Sequence, residues 1–394
     1  MPELRGNMSD YQVVWRGFVS HPGGWGTACR EYVLALDKLG VDVKIDGRGT
    51  HVYETDTNRK NTLRSLILKP YTNDKPKVLI YHNHPYNIDL KKERIIFDHV
   101  ILNTAWETTK IPGNWFPAIN EFDAVFVPSK HNIIALKSNG VTVPVFLVPH
   151  GADTRTFRPD NHKMPLTGAA GKFIFVSVFD FQHRKNPEGL LKAYWGEFTP
   201  EDNVLLVIKT HWSGKRGFAG LIAETISHYK ERLGITDEKT APLVLITRTI
   251  DKKELIGLYT LGNVFVLPTR GEGVGLPFIE ALSSGIPVIA TGWGGQMDFL
   301  DEGNAFMVDY KLENPVVSMK RAISRKFQYL FAERGQMWAE PDVTSLRRQM
   351  RFAYENSALC KIKGKQGRQD MLHMSWEAAG QALKEAIEKV LQQT

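Results

Sequence analysis

The chain has 394 residues, 42% hydrophobic and 24% charged, and its 50 Lys and Arg against 43 Asp and Glu leave a net charge of +7. This is the composition of a soluble globular protein of about two domains, and a surplus of that size does not by itself point to nucleic acid. Apolar runs such as Val78–Tyr81 and Val264–Leu267 are far shorter than the roughly 20 residues of a membrane helix. The N-terminal Met1-Pro2-Glu3-Leu4-Arg5-Gly6 lacks the apolar core of a secretory leader. Two cysteines, Cys29 and Cys360, cannot build a disulfide framework, so a reducing cytoplasm is expected.

Residues 11–16 read as a strand, followed by a glycine cluster at Gly23, Gly24 and Gly26. Ala28, Tyr32, Ala35, Leu36 and Leu39 then share one helical face, which Gly40 stops. Val41–Ile45, Lys77–Tyr81, His99–Leu102, Ala124–Val127 and Val145–Val148 are further strands, with a helical pattern at Lys130–Ser138. Residues 151–171, rich in Gly, Pro, Asp, Asn and Thr, suit a linker. The pattern then restarts. Strands are predicted at Lys172–Val178, Val204–Ile208, Leu243–Thr247, Val264–Leu267 and Val288–Ala290. Helices are predicted at Pro187–Tyr194, Leu221–Leu233, Lys253–Thr260 and Pro277–Ser284. Residues 315–394 read as mostly helical, including Lys320–Phe331 and a last helix at Trp376–Leu391 capped by Ser375. Short apolar strands alternating with helices predict an α/β chain of two doubly wound, Rossmann-like domains. The expected divisions are 1–165, 166–370 and a C-terminal helix, 371–394.

The most informative stretch is Pro268-Thr-Arg-Gly-Glu-Gly-Val-Gly-Leu-Pro-Phe-Ile-Glu280. Gly271, Gly273 and Gly275 permit a tight backbone, and Pro277 suits a first helical turn. Such a loop offers N–H groups at a helix start, a ready anion site with phosphate as the natural guest. Glu272 and Glu280 would repel that phosphate unless they serve hydroxyl groups, for which carboxylates are strong acceptors. The competing reading is a dipole-stabilising Glu280 and a merely solvated Glu272.

The spacing of Glu272 and Glu280, with seven residues between them, resembles the E-x7-E motif of retaining GT-B glycosyltransferases of glycosyltransferase family 4, as do Gly285-Ile-Pro-Val-Ile-Ala290 and Gly294-Gly295. The resemblance implies two Rossmann-like domains flanking an interdomain cleft, an acceptor-binding first domain, a donor-binding second domain and a terminal helix returning to the first. It implies that Glu272 meets the donor sugar, that Glu280 meets the nucleotide ribose, and that the amides of Val274, Gly275 and Leu276 hold the β-phosphate. It assigns Arg184 and Lys185, in His183-Arg-Lys-Asn-Pro187, to the donor diphosphate, where cations stabilise the leaving charge. Many members carry a further arginine where this chain has Phe179, and Lys209 is the expected substitute. Gly23, Gly24 and Gly26 match the family's N-terminal glycine loop.

The same glycines begin a dinucleotide fingerprint with Asp46 downstream, but Cys29 stands where its third glycine belongs. His82 and His84 follow a strand, and Asn103, Thr104 and Glu107 follow the next. These five are the expected acceptor-site residues. The two histidines lack a third ligand at metal spacing. The chain contains no D-x-D, so no metal or other cofactor is expected.

The expected function is a cytoplasmic, metal-independent hexosyltransferase of glycan, glycolipid or glycoconjugate synthesis. It would move a sugar with retention from a UDP- or GDP-sugar to a carbohydrate, lipid-linked or protein acceptor. A nucleotide-sugar epimerase or hydrolase on the same fold, or a non-catalytic sugar-nucleotide binder, are the alternatives. No nucleic-acid partner is expected, and membrane contact would be peripheral. Residues 311–370 account for the whole +7, which reads as solvated helix faces.

Overall fold

The computed structural model describes residues 9–47, 51–211 and 218–393. The N-terminal stretch read for a leader lies outside them. Among the described residues, no helix is long and apolar enough to cross a membrane.

The chain forms two compact units, one of residues 1–106, 111–151 and 374–394 and the other of residues 107–110 and 152–373. In the first, the chain runs β1 (Gln12–Arg16), α1 (Gly24–Lys38), β2 (Asp42–Ile45), α2 (Thr57–Leu68), β3 (Lys77–His82), α3 (Leu90–Glu93), β4 (His99–Asn103), β5 (Ala124–Val127), α4 (Lys130–Lys137) and β6 (Val145–Leu147). The sheet is parallel in the order β2-β1-β3-β4-β5-β6. Its strands read as unbroken apolar runs, with Val13, Val14, Val78, Leu79, Ile80, Ile101 and Val125 wholly buried, because helices cover both faces of such a sheet. Local chemistry sets the ends: Gly40, at φ +78°, stops α1, and the side chains of Asp56 and Ser129 cap α2 and α4. The helix α2 carries little apolar pattern of its own and was not visible in the sequence.

The second unit runs β7 (Phe173–Asp180), α5 (Pro187–Glu197), β8 (Val204–His211), α6 (Phe218–Arg232), β9 (Leu243–Ile246), α7 (Lys252–Leu261), β10 (Val264–Leu267), α8 (Leu276–Ser283), β11 (Val288–Thr291) and β12 (Ala305–Val308). β13 (Tyr310–Glu313), α9 (Pro315–Met319), β14 (Trp338–Pro341), α10 (Val343–Glu355) and α11 (Ser357–Leu372) complete it. Its six strands are parallel in the order β12-β11-β10-β7-β8-β9. Counted from β7, this is the 3-2-1-4-5-6 winding read from the other edge.

Two expectations change. The stretch 310–341 is not mainly helical, because β13 and β14 pair antiparallel and Lys320–Phe331 contains no long helix. Tertiary bonds hold that stretch open: Ser324 Oγ donates to the Phe181 carbonyl at 2.8 Å, Lys326 pairs with Asp180 at 2.6 Å, and Phe327 takes φ +60°. The unit boundary falls at 151/152 rather than 165. The intervening strap is fastened to the second unit, Met164 N donating to the Gly257 carbonyl at 2.8 Å and Phe157 lying 5.7 Å from the Tyr259 ring. Part of the basic surplus is engaged in ion pairs, as where Arg351 of α10 meets Glu197 and Asp202 at 2.9 and 2.7 Å.

The last helix, α12 (Trp376–Leu391), capped by Ser375, rejoins the first unit and packs on α1. A Cβ on Gly380 would meet that of Ala35 at 2.4 Å, and the Trp376 ring lies edge-on to Tyr32 at 5.3 Å. Leu383 is fully buried in α12. Leu383→Ala is expected to lower stability by ~2–5 kcal/mol, the cost of a large-to-small change in a packed core. Urea unfolding measures it, and an unshifted midpoint would show that α12 is not part of the first unit's core.

Candidate functional site

In the second unit the winding reverses between β7 and β10, and ligands of such sheets bind beyond the carboxyl ends of the strands at that point. The turn His183–Lys185 follows β7, and the glycine loop 268–275 follows β10. The sequence places its basic pair and its first acid on these two loops, and the fold brings them together. Lys185 Nζ lies 2.5 Å from Glu272 Oε1, and Arg184 Nη1 lies 3.2 Å from Glu272 Oε2. Thr269 Oγ1 donates to Glu272 Oε1 at 3.0 Å. All four side chains are buried.

Burial disfavours the Glu272 carboxylate, but Lys185 and Arg184 outweigh that and hold it below the ordinary glutamate range. Burial lowers the Lys185 pKa, with Glu272 offsetting part of the shift. Arg184 also donates to the Gly271 carbonyl at 2.5 Å, while its Nε is buried without a hydrogen-bond partner.

The loop's backbone is built for this crowding. Gly275 takes φ +95° at the start of α8, and a Cβ there would meet Phe278 at 2.6 Å. Gly294 takes φ +110°, so that Gly295 N reaches the Glu272 carbonyl at 2.8 Å. Gly275 and Leu276 stand at the α8 N-terminus, where N–H groups have no intrahelical acceptor, and Val274 precedes them, buried. Glu280 lies within α8, half-buried, and accepts a 2.6 Å hydrogen bond from Tyr259 Oη. Burial raises its pKa to about 7 despite that bond.

Glu107, expected among the acceptor-site residues with His82 and His84, belongs to the second unit and lies 3.2 Å from Arg184 Nη2. Residues 107–110 dock there through Thr109 N to the Met337 carbonyl, 2.9 Å, and Gln336 Nε2 to the Lys110 carbonyl, 3.2 Å. A Cβ on Gly271 would meet the Glu107 carbonyl at 2.2 Å. Burial raises the Glu107 pKa, Arg184 opposing it. Lys209 lies near the end of β8, opposite Val178, and donates to the Thr210 carbonyl at 3.1 Å, its pKa lowered by burial and by Arg248.

No contiguous motif marks the frame beneath this cluster. Arg270, fully buried, binds Glu340 through Nε and Nη2 at 2.6 and 3.0 Å, Glu188 at 3.1 Å and the His183 carbonyl at 2.5 Å. His183 pairs with Glu188 in turn. Arg270 N donates to the Arg184 carbonyl at 2.7 Å, which ties the two loops directly. Arg270 was legible as a charge inside a glycine loop, but Glu340 lies on the distant β14 and left no local signal.

In the first unit the reversal lies between β1 and β3. Gly23 is the N-cap of α1, which begins at Gly24, and a Cβ on Gly26 would overlap the His21 carbonyl at 1.9 Å. His82 ends β3 opposite Asn103 of β4, with Thr104 next. Burial holds the pKa of His82 near 3, with His150 adding, and that of His84 near 4.

Arg270→Met strands Glu188 and Glu340 in the interior and is expected to cost ~3–5 kcal/mol, the penalty for breaking a buried pair. Chemical denaturation reads it, and a near-neutral result would show the network to be expendable. Glu280, held at about 7 in the fold, is ionised more readily in the unfolded chain. Its contribution to stability should fall as pH rises from about 4.5 through about 7. Glu280→Gln should flatten that part of the melting-temperature profile, and an unchanged profile would overturn the assignment.

Residues 160–323 match the family model for Glycosyl transferases group 1. The chain is 27% identical over 175 residues to D-inositol 3-phosphate glycosyltransferase of Corynebacterium jeikeium, a match covering 42% of this chain and 40% of that protein. It spans less than half the length of the curated relatives it matches. The fold is similar to sucrose-phosphate synthase from Thermosynechococcus elongatus, with TM-score 0.68 and 16% identity over 98% of this chain and 100% of that one. It is also similar to a UDP-forming α,α-trehalose-phosphate synthase from Burkholderia xenovorans, with TM-score 0.65 and 12% identity over 98% and 100% of the two chains. Residues 160–323 are therefore a glycosyl transferases group 1 domain, carried by a chain with the GT-B fold.

Proposed function

We propose that the protein is a retaining, metal-independent hexosyltransferase that moves a sugar from a nucleotide-sugar to an acceptor hydroxyl. The observation that carries this reading is the buried Glu272–Lys185–Arg184 cluster at the reversal of the second sheet, beside the start of α8. A donor diphosphate at that helix start meets its N–H groups and the two cations. The unpartnered Arg184 Nε offers a further donor. Glu107 and Glu272 already balance Arg184 and Lys185, so the diphosphate gains its place by exchanging carboxylate contacts rather than by meeting bare charge. Glu272 is set to accept hydroxyls of the donor sugar, and Glu280 those of the ribose.

In the transfer, the bond from the sugar's anomeric carbon to the β-phosphate oxygen breaks as the acceptor oxygen bonds that carbon on the same face. The acceptor proton passes to a donor phosphate oxygen. Arg184 and Lys185 stabilise the charge that gathers on the departing diphosphate. The UDP-forming relative in fold supports a UDP-sugar donor, with GDP-sugar second. Two buried, unpaired cysteines support a reducing, cytoplasmic setting.

A melting-temperature screen of UDP, GDP, ADP, TDP and their sugars is the test. A ligand at about a hundredfold its Kd stabilises by ~2.7 kcal/mol. One nucleotide series is expected to raise the melting temperature, and Glu272→Gln to fold, bind that nucleotide and lose donor turnover by about a hundredfold or more. No response to any nucleotide, or full turnover in Glu272→Gln, would defeat the reading. Free sugar released without any acceptor would favour an epimerase or hydrolase.

A further inference from the structure

The first unit has its own reversal point, between β1 and β3, and aromatic rings gather there. Phe18, 40% exposed, meets the half-buried Trp25 edge-on at 5.9 Å. Trp25 lies 5.1 Å from His82 and 5.3 Å from His84, and His84 lies 5.5 Å from Tyr86. Trp106 and Trp115, both buried and 5.2 Å apart, back His84 from behind. Loop sterics fix this assembly: a Cβ on Gly17 would meet Cys29 Sγ at 2.6 Å and the His82 Cβ at 3.0 Å.

Three polar atoms at the same edge are buried without hydrogen-bond partners: His84 Nδ1, Asn103 Nδ2 and Thr104 Oγ1. Asn103 and Thr104 are 6% and 2% exposed. Buried polar groups are normally paired, so such a set calls for an explanation. An amide donor, a hydroxyl and an imidazole nitrogen together suit a partner that both donates and accepts, which is the character of a hydroxyl group. The faces of aromatic rings carry negative partial charge and suit the C–H face of a sugar ring.

Charge narrows the ligand further. Residues 17–29, 83–90 and 103–106 contain no Lys or Arg. Among the described residues, the nearby Arg16 and Arg30 are already engaged: Arg16 with Asp46 and Glu93 at 2.8 and 2.5 Å, and Arg30 with the carbonyls of Val19 and His21 at 2.9 and 2.8 Å. The two histidines stay neutral at physiological pH, because burial outweighs their protonation. A phosphorylated ligand needs charge-assisted donors that this edge does not supply.

We propose that the edge formed by Phe18, Trp25, His84, Tyr86, Asn103 and Thr104 binds a neutral carbohydrate ring, which stacks on the aromatic faces and pairs its hydroxyls with the three unpartnered atoms. This names the acceptor class of the proposed transfer and rests on that reading. Saturation-transfer NMR and tryptophan fluorescence on the full chain, with methyl α-D-glucopyranoside, maltose and glucose 6-phosphate as probes, test it. The neutral sugars are expected to bind and glucose 6-phosphate to bind at least about tenfold more weakly. Trp25→Ala should weaken the neutral sugars by about tenfold or more, and Trp25→Phe, which keeps a ring, should restore most of the affinity. Equal or tighter binding of the phosphorylated sugar, wild-type affinity in a folded Trp25→Ala, or no binding of either neutral sugar would overturn the proposal. The response of the wild-type melting temperature to UDP and GDP is read separately. Its absence beside intact sugar binding would remove the donor reading and leave this site standing.

Discussion

Parallel strands can be joined only by crossovers, and a sheet whose crossovers run both ways must contain one place where neighbouring loops part. Both candidate sites of this chain depend on that constraint. The second sheet parts between β7 and β10, so the turn after β7 and the glycine loop after β10 come side by side and are joined by Arg270 N to the Arg184 carbonyl and by Lys185 to Glu272. The first sheet parts between β1 and β3, where the α1 glycine loop and the stretch after His82 likewise come side by side. Each unit thus has one such reversal at one edge. What differs is the chemistry that lines it, buried ions in the second unit and neutral rings in the first.

The ions are costly to bury and must be paired to persist. Glu272 is kept ionised by two cations, and those cations are kept in place from below by a second network centred on Arg270. Arg270 joins the glycine loop, the His183 turn and β14 through hydrogen bonds of fixed direction, and α5 through its ion pair with Glu188. A planar guanidinium suits this task because it serves several acceptors in one plane, which an ammonium cannot do. The site's geometry therefore rests on a side chain that the proposed chemistry leaves untouched.

The regular second-unit strands and helices were legible because their apolar runs and punctuation are local. Asn186-Pro187 opens α5, Asp251 and Glu254 form a capping box for α7, and Gly285 closes α8. The candidate donor residues could be named together because Glu272, Glu280, Val274, Gly275 and Leu276 lie in one ordered motif. What escaped was set by distant pairing. β13 and β14 are four residues each and meet across a long intervening stretch, so no turn announces them. Glu107 was placed by its nearness in sequence to Asn103 and Thr104, but the chain leaves the first unit just after Trp106. Tyr259 on Glu280 and Glu340 on Arg270 are partners that only the folded chain discloses.

That departure after Trp106 has a consequence for how the molecule can be divided. The chain passes between its units four times, at 106/107, 110/111, 151/152 and 373/374. A gene fragment encoding residues 152–373 alone would lack Glu107, leave Gly271 uncovered and deprive Arg184 of a partner. One encoding residues 1–151 alone would lose α12 from the face of α1. Neither half is a self-sufficient cassette. An exchange of one contiguous half with another chain would have to preserve the match at Glu107–Arg184 and at α1–α12 together.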